Sequence, residues 1–289
     1  MKNLMVFGIL ISAITAGGYS GDSGVFSFKV GQFDVFMIVE SEREGNAGIL
    51  TGTSADVIER YIPSSGFKHS TNAFLIKAQG QNILIDTGTG AGGVIVDKIK
   101  SLGVQPEQIH VILLTHLHGD HFGGLVKDGK PVFPNAKIYL SERELNYFTV
   151  TNINQAAVNA LSPYRSKMET FVPSELSTER RPQIIPGIFP IAAYGHTPGH
   201  TIYLLESGRA KLLIAGDILH VGLVQFHLPA VNATYDMNGA DAARSRLAVL
   251  LYAALNRLPI AGMHIVYPGM GIVESYNNGQ SFNYTSMDD

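Results

Sequence analysis

Residues 115–121 read Thr-His-Leu-His-Gly-Asp-His, so three imidazoles (His116, His118 and His121) and one carboxylate (Asp120) fall within six consecutive positions. Neutral imidazole and carboxylate are ligand types that Zn²⁺ and similar divalent ions prefer. Four such donors on one turn crowd a single tetrahedral ion, so two ions are the natural reading. Further donors stand at His196, within Gly195-His196-Thr197-Pro198-Gly199-His200, at Asp217 directly after Gly216, and at His264 ahead of Pro268-Gly269. Alone, His196 or His264 would read as an ordinary hydrogen-bonded histidine; beside the first cluster they read as the missing ligands. Two divalent ions roughly 3.5–4 Å apart can share a solvent molecule, lower its pKa toward ~7 and polarise the acceptor oxygen of an ester or phosphoryl group. The expected nucleophile is a metal-bridging hydroxide. No Ser or Cys nucleophile is needed, and the chain contains no cysteine.

These donors need rigid elements to aim them. Residues 111–114 (Val-Ile-Leu-Leu) suit a short buried strand, which puts the first cluster on the loop at its end. Apolar stretches over residues 188–194 and 211–215 precede His196 and Asp217 in the same way. The adjoining glycines permit close backbone approach or positive φ, and Pro198 stiffens its turn. Elsewhere, residues 25–39 read as two strands around Gly31, and 72–78 with 82–86 as another pair. A helix is predicted over 93–102, and another over 239–258 with Leu247, Leu250, Leu251 and Leu255 as its core stripe. Ser141 and Glu144 have the spacing of a capping box. Strands and helices arrive in two successive sets, consistent with an α/β fold of two packed sheets covered by helices. Residues 40–69 and 151–177 look irregular and are expected to wall the site, with Tyr147, Phe148, Phe171, Phe226 and His227 as candidates for an apolar pocket. His200 reads as a buttress for the His196 loop, and His69 and His110 as peripheral.

The pattern H-x-H-x-D-H with a later His, Asp and His resembles the metallo-β-lactamase fold superfamily, which implies that the two helix-covered sheets form an αββα four-layer sandwich. Leu84-Ile85-Asp86-Thr87-Gly88 matches that family's earlier marker, in which the Asp supports the site without binding metal. The resemblance implies one ion on His116, His118 and His196, a second on Asp120, His121 and His264, and Asp217 as the bridging carboxylate. It also implies that Asp120 orients the shared solvent or takes its proton. Zn²⁺ is the expected metal, with Mn²⁺, Fe²⁺ or Co²⁺ open to the same ligands. Sister branches fit less well. B1 and B2 β-lactamases need a Cys ligand, B3 enzymes lack the bridging carboxylate, and flavodiiron proteins carry Glu where this chain has His118. Glyoxalase II shares His-Thr-Pro-Gly-His but carries a basic C-terminal region that is not seen after His264. Phe28-Lys29-Val30-Gly31-Gln32-Phe33, Gly216-Asp217-Ile218-Leu219-His220-Val221-Gly222 and Tyr267-Pro268-Gly269-Met270-Gly271 are similar to the methyl parathion hydrolase group, which combines phosphotriesterase with lactonase or arylesterase activity and is dimeric. The chain departs from that group at His220, a candidate catalytic donor to a developing oxyanion or leaving group.

Composition bounds the rest. The 289 residues suffice for one large domain, and the net charge of −3 shows no basic stripe, against nucleic acid as substrate and so against the ribonuclease Z branch. Met1-Lys2-Asn3, an apolar run and Ala16-Gly17-Gly18 have the order of a secretory signal peptide, 1–18, too short to span a membrane and leaving 19–289 as the mature domain. A secreted or periplasmic location follows as an expectation. The expected function is an exported binuclear metallohydrolase acting on a small-molecule ester, lactone or phosphotriester. An acyl homoserine lactone lactonase and a catalytically silent metal-binding protein stand as alternatives.

Overall fold

The computed structural model describes residues 14–20 and 24–287. Residues 1–13, most of the expected signal peptide, lie outside them. The first sheet runs in the order β1 (Ile14–Ser20), β2 (Val25–Val30), β3 (Phe33–Glu44), β5 (Lys68–Ala78), β6 (Gln81–Ile85), β7 (Val111–Leu113), β10 (Lys137–Ser141) and β11 (Met168–Phe171). It is antiparallel through β6, then parallel from β6 to β11. A parallel pair needs a crossover, and α2 (Val94–Ser101) supplies the one between β6 and β7. The second sheet runs β12 (Ile188–Ala192), β13 (Thr201–Ser207), β14 (Ala210–Ile214), β16 (Ile260–Ala261), β17 (Met270–Tyr276) and β18 (Ser281–Ser286). Its one parallel pair, β14 with β16, is bridged by α7 (Gly239–Asn256). Two short ribbons complete the strands: β4 (Leu50–Thr51) with β15 (Asn232–Ala233), and β8 (Val126–Lys127) with β9 (Lys130–Pro131). The remaining helices are α1 (Ala55–Glu59), α3 (Gly119–Phe122), α4 (Glu142–Asn146), α5 (Gln155–Leu161) and α6 (Gly222–Gln225).

The period-2 alternation of strand side chains builds three apolar layers. Along β5, Phe74 and Ile76 point between the sheets, where they meet Tyr203, Leu212 and Met270 of the second sheet. Their neighbour Leu75 points the other way, into a layer with Ile95 and Ile99 of α2 and Ala157 of α5. On the far side, Leu204 and Leu213 pack under Val249, Leu250 and Ala253 of α7. The predicted αββα sandwich is therefore the observed fold.

Three local expectations are corrected. The buried stripe of α7 is Ala242, Arg246, Val249, Leu250 and Ala253, whereas Leu255 is 73% exposed. Residues 151–177 hold α5 and β11, whose short apolar runs gave little periodic signal. Ser141 does precede α4, but it makes no capping hydrogen bond, because Glu144 is turned into the protein interior.

Candidate metal centre

Every predicted site residue sits on a loop leaving the end of a strand. β7 releases His116, His118, Asp120 and His121, the last two in the single turn of α3. β12 leads to His196, β14 to Asp217 and His220, and β16 to His264. Two glycines are required by this arrangement. At Gly195 the backbone runs so close to the start of α7 that a Cβ would lie 2.0 Å from the Ala242 nitrogen, and φ is +124°. At Gly216 φ is +54° and a Cβ would meet the His200 ring.

The loops bring all eight residues together. Oδ2 of Asp217 is ringed by Nε2 atoms, at 3.0 Å from His264, 3.2 Å from His121, 3.4 Å from His196 and from His220, and 3.7 Å from His116. On one side, His196 Nε2 lies 3.2 Å from His116 Nε2 and 3.0 Å from His118 Nδ1. On the other, Asp120 lies 3.5 Å from both His121 and His264. Ligands ~2.0–2.1 Å from a tetrahedral zinc stand ~3.3 Å from each other, so these separations fit an ion at each side.

Tautomers support the fit. His121 donates from Nδ1 to Asp86 Oδ2 (2.7 Å), His196 from Nδ1 to Asp236 Oδ1 (2.9 Å), and His264 from Nδ1 to the Ser70 carbonyl (2.9 Å). The Thr115 hydroxyl donates to Asp86 Oδ2, leaving its oxygen free to accept from His116 Nδ1 at 3.0 Å. Each of these rings thus turns its Nε2 lone pair inward, the orientation a metal ligand needs. His121 Nε2 and Asp217 Oδ1 are buried with no hydrogen-bond partner. Asp86 behaves as expected of it, fully buried and holding the Thr115 backbone N–H and hydroxyl as well as His121.

Electrostatics ask for cations. Asp86, Asp120 and Asp217 gather here with no Lys or Arg paired to them among the described residues, and buried carboxylates are normally paired or bound to metal. Burial, with neighbouring imidazoles, lowers His116 and His118 and takes His196 down to about 3. Burial also opposes charge on His121 and His264, yet Asp217 and Asp120 outweigh it and raise both. The cluster draws positive charge in.

Three supporting residues escaped the sequence reading. Glu144, fully buried, accepts from the Leu117 N–H through Oε1, and from the Thr197 hydroxyl and Gly199 N–H through Oε2, each at 2.8 Å. It ties the first cluster to the His196 loop. Asp236, which orients His196, is paired at 3.1 Å with Arg246, and both side chains are fully buried. Burial works against the Asp236 charge, but the His196 hydrogen bond and Arg246 hold it down at about 2. Arg246 also donates to the carbonyls of Ile218, Pro229 and Val231, so α7 supports the Asp217 loop too. Its signal was a lone cation on the buried stripe of a helix, where unpaired charge is not tolerated. Asp236 and Glu144 offered no comparable signal.

His200 is a buttress as expected: Nδ1 donates to the Ala193 carbonyl and Nε2 accepts from the Asp217 N–H. His110 is peripheral, accepting from the Asn82 N–H. His69 is not peripheral. Its ring stacks on His264 with centroids 4.7 Å apart, and it lines a cavity of about 620 Å³ above the cluster. The walls of that cavity come from residues 41–49, 69–71, 89 and 235. Segment 40–69 therefore walls the site, while 151–177 does not. Phe148, Phe171 and Phe226 pack in the core layers, and His227 stacks on Tyr61; none of them lines the cavity. Tyr147 packs against the helix-covered layer of the first sheet.

A family model described as the metallo-beta-lactamase superfamily matches residues 66–264, more than half of the chain and all of the cluster. The chain belongs to this superfamily. Among solved structures, hydrolase AbOPH, described as in the beta lactamase superfamily, is 28% identical with a TM-score of 0.81, the match covering 91% of this chain and 97% of that one. AidC, described as a dizinc quorum-quenching lactonase in complex with a product, has a TM-score of 0.80 over 91% of this chain and 97% of its own; at 24% identity it speaks for the fold. The probable metallo-hydrolase YqgX of Bacillus subtilis (strain 168) is 30% identical over 154 residues, 52% of this chain and 67% of that protein. The chain spans about half to two thirds of the length of the first curated relatives it matches. Lactonases stand among the solved structures that share this fold.

Proposed function

We propose that this superfamily member is an exported binuclear metallo-hydrolase that cleaves an ester, lactone or phosphotriester bond of a small molecule. One observation carries the reading: a single carboxylate oxygen, Asp217 Oδ2, stands between two sets of inward-turned donors at the floor of an open cavity. His116, His118 and His196 would hold one divalent ion and Asp120, His121 and His264 the other, with Asp217 shared and zinc the favoured metal. Two such ions supply a lowered pKa for a shared solvent molecule and an electrophile for the acceptor oxygen. Around them, Asp120 has a 34% exposed side chain, placing it to accept a proton at the cavity floor. His220 presents its ring to the same cavity, with Nδ1 buried and unpartnered and its backbone N–H fixed by Gln225 Oε1. It is positioned to donate to charge that develops on the substrate.

A lactone is the second reading, favoured by the fold shared with AidC, described as a quorum-quenching lactonase. Comparing kcat/KM on acyl homoserine lactones, aryl esters and phosphotriesters separates the readings. The metal-centred role is tested by two substitutions measured together. Asp217→Asn is expected to lower bound metal from two ions toward one and abolish turnover. His220→Ala is expected to keep both ions and lose about 10²-fold in kcat, as for removal of one preorganised donor. Full activity in Asp217→Asn, or a metal-loaded wild type inert on every substrate class, would overturn the proposal.

A further inference from the structure

The cavity has a second, polar wall away from the metal cluster. β3 runs beyond the body of the sheet beside β5, and the register shifts between Val39 and Ser41 before Ser41 pairs with Thr71 and Arg43 with His69. A bulge of this kind re-aims the side chains that follow it. With a period of two, these cross-strand pairs share a face, and all four residues line the cavity. His69 is 91% buried by its 9% exposure, its Nδ1 has no hydrogen-bond partner, and its ring lies against His264. Arg43 is exposed to the cavity and, among the described residues, no carboxylate pairs with it. Its neighbour Glu44 is taken by Lys68 across the ribbon. The cavity floor is acidic and destined for cations, so Arg43 is the uncommitted charge of the wall.

We infer that Arg43 and His69, flanked by Ser41 and Thr71, form a recognition subsite for a carboxylate carried by the substrate away from the bond that is cleaved. The geometry follows from the ribbon. Paired residues on one face have Cβ atoms ~5 Å apart, so a carboxylate held by the Arg43 fork sits beside His69, one ring from the His264 ligand. A neutral lactone or phosphotriester leaves this subsite unused, whereas an ester or lactone bearing a free carboxylate a few bonds from its acyl carbon fills it. The inference rests on the hydrolase reading and narrows its substrate class.

The zinc-loaded full chain is assayed on paired aryl esters that differ only in a terminal carboxylate, such as 4-nitrophenyl butyrate and the 4-nitrophenyl monoester of glutaric acid. Wild type is expected to prefer the carboxylate ester at least tenfold in kcat/KM. Arg43→Ala should erase most of that ratio, chiefly through KM, and Arg43→Lys should retain part of it, since a point charge replaces a bidentate fork. A separate calorimetric titration with monomethyl glutarate reads binding without turnover, and Arg43→Ala is expected to weaken it about tenfold. A wild-type ratio near one, or binding equal in wild type and Arg43→Ala, overturns the subsite. Arg43-dependent binding in a protein that cleaves neither ester upholds the subsite and removes the ester-hydrolase reading instead.

Discussion

Glu144 shows how much a single side chain can organise. Its two oxygens accept three hydrogen bonds from Leu117, Thr197 and Gly199, and through them it fixes the spacing of the loops that carry His116, His118 and His196. Burial pushes its carboxyl up from 4.5 to about 7, with the three donors pulling the other way. A carboxyl raised in the fold keeps its proton where the unfolded chain has already released one. Its contribution to stability is therefore present below 4.5 and is lost as pH rises through about 7. Chelator-treated wild type should lose more stability between pH 5 and pH 8 than Glu144→Gln, read as urea midpoints. Identical slopes would remove Glu144 as the titrating group. Glu144→Gln should also be less stable by ~1–3 kcal/mol at pH 8, because its amide turns a donor toward donors. The eight cluster residues were legible because each stands in a short local pattern at the end of an apolar run. Glu144, Asp236, Arg246 and His69 were not, because their partners lie dozens of residues away and nothing local records the contact.

At the scale of elements, strand pairing was readable where apolar segments flank a turn glycine, β2 and β3 around Gly31 and β5 and β6 around Gly80, and helix α2 where apolar spacing reached a full turn. The stripe of α7 misled because Leu247 and Leu255 suggest burial by type, while the small Ala242 and Ala253 and the paired Arg246 are what the sheet accepts. β1 raises a separate matter. Cleavage after Gly18, as proposed for export, would cut within β1 and leave β2, from Val25, as the sheet edge. The mature protein recovered from the periplasm or medium is expected to begin at Tyr19 by N-terminal sequencing. A mature chain that still contains Ile14 to Gly18 would place the processing site upstream and keep the edge strand whole. No helix among the described residues is long and apolar enough to cross a membrane.

For the molecule as a whole, the cluster lies where the two sheets meet. His116, His118, Asp120 and His121 come from loops of the first sheet, and His196, Asp217, His220 and His264 from those of the second. Binding that requires both favours the folded state alone, and at a hundredfold excess over Kd it contributes ~2.7 kcal/mol per site. Stripping the metal is expected to lower Tm by on the order of 5–10 °C, restored by added zinc, with scanning calorimetry as the measurement. An unchanged Tm would mean that the ions do not hold the sheets together.

The layer between the sheets, built around Phe74, Tyr203 and Met270, sets how far those two groups of loops stand apart. Coordination tolerates errors of only tenths of an ångström, while a well-packed interior can absorb an altered side chain by sliding one slab against the other. A conservative swap in that layer should therefore reveal itself as impaired ion uptake well before it registers as a weakened fold, making this buried seam the hidden calibrator of the chemistry at its rim.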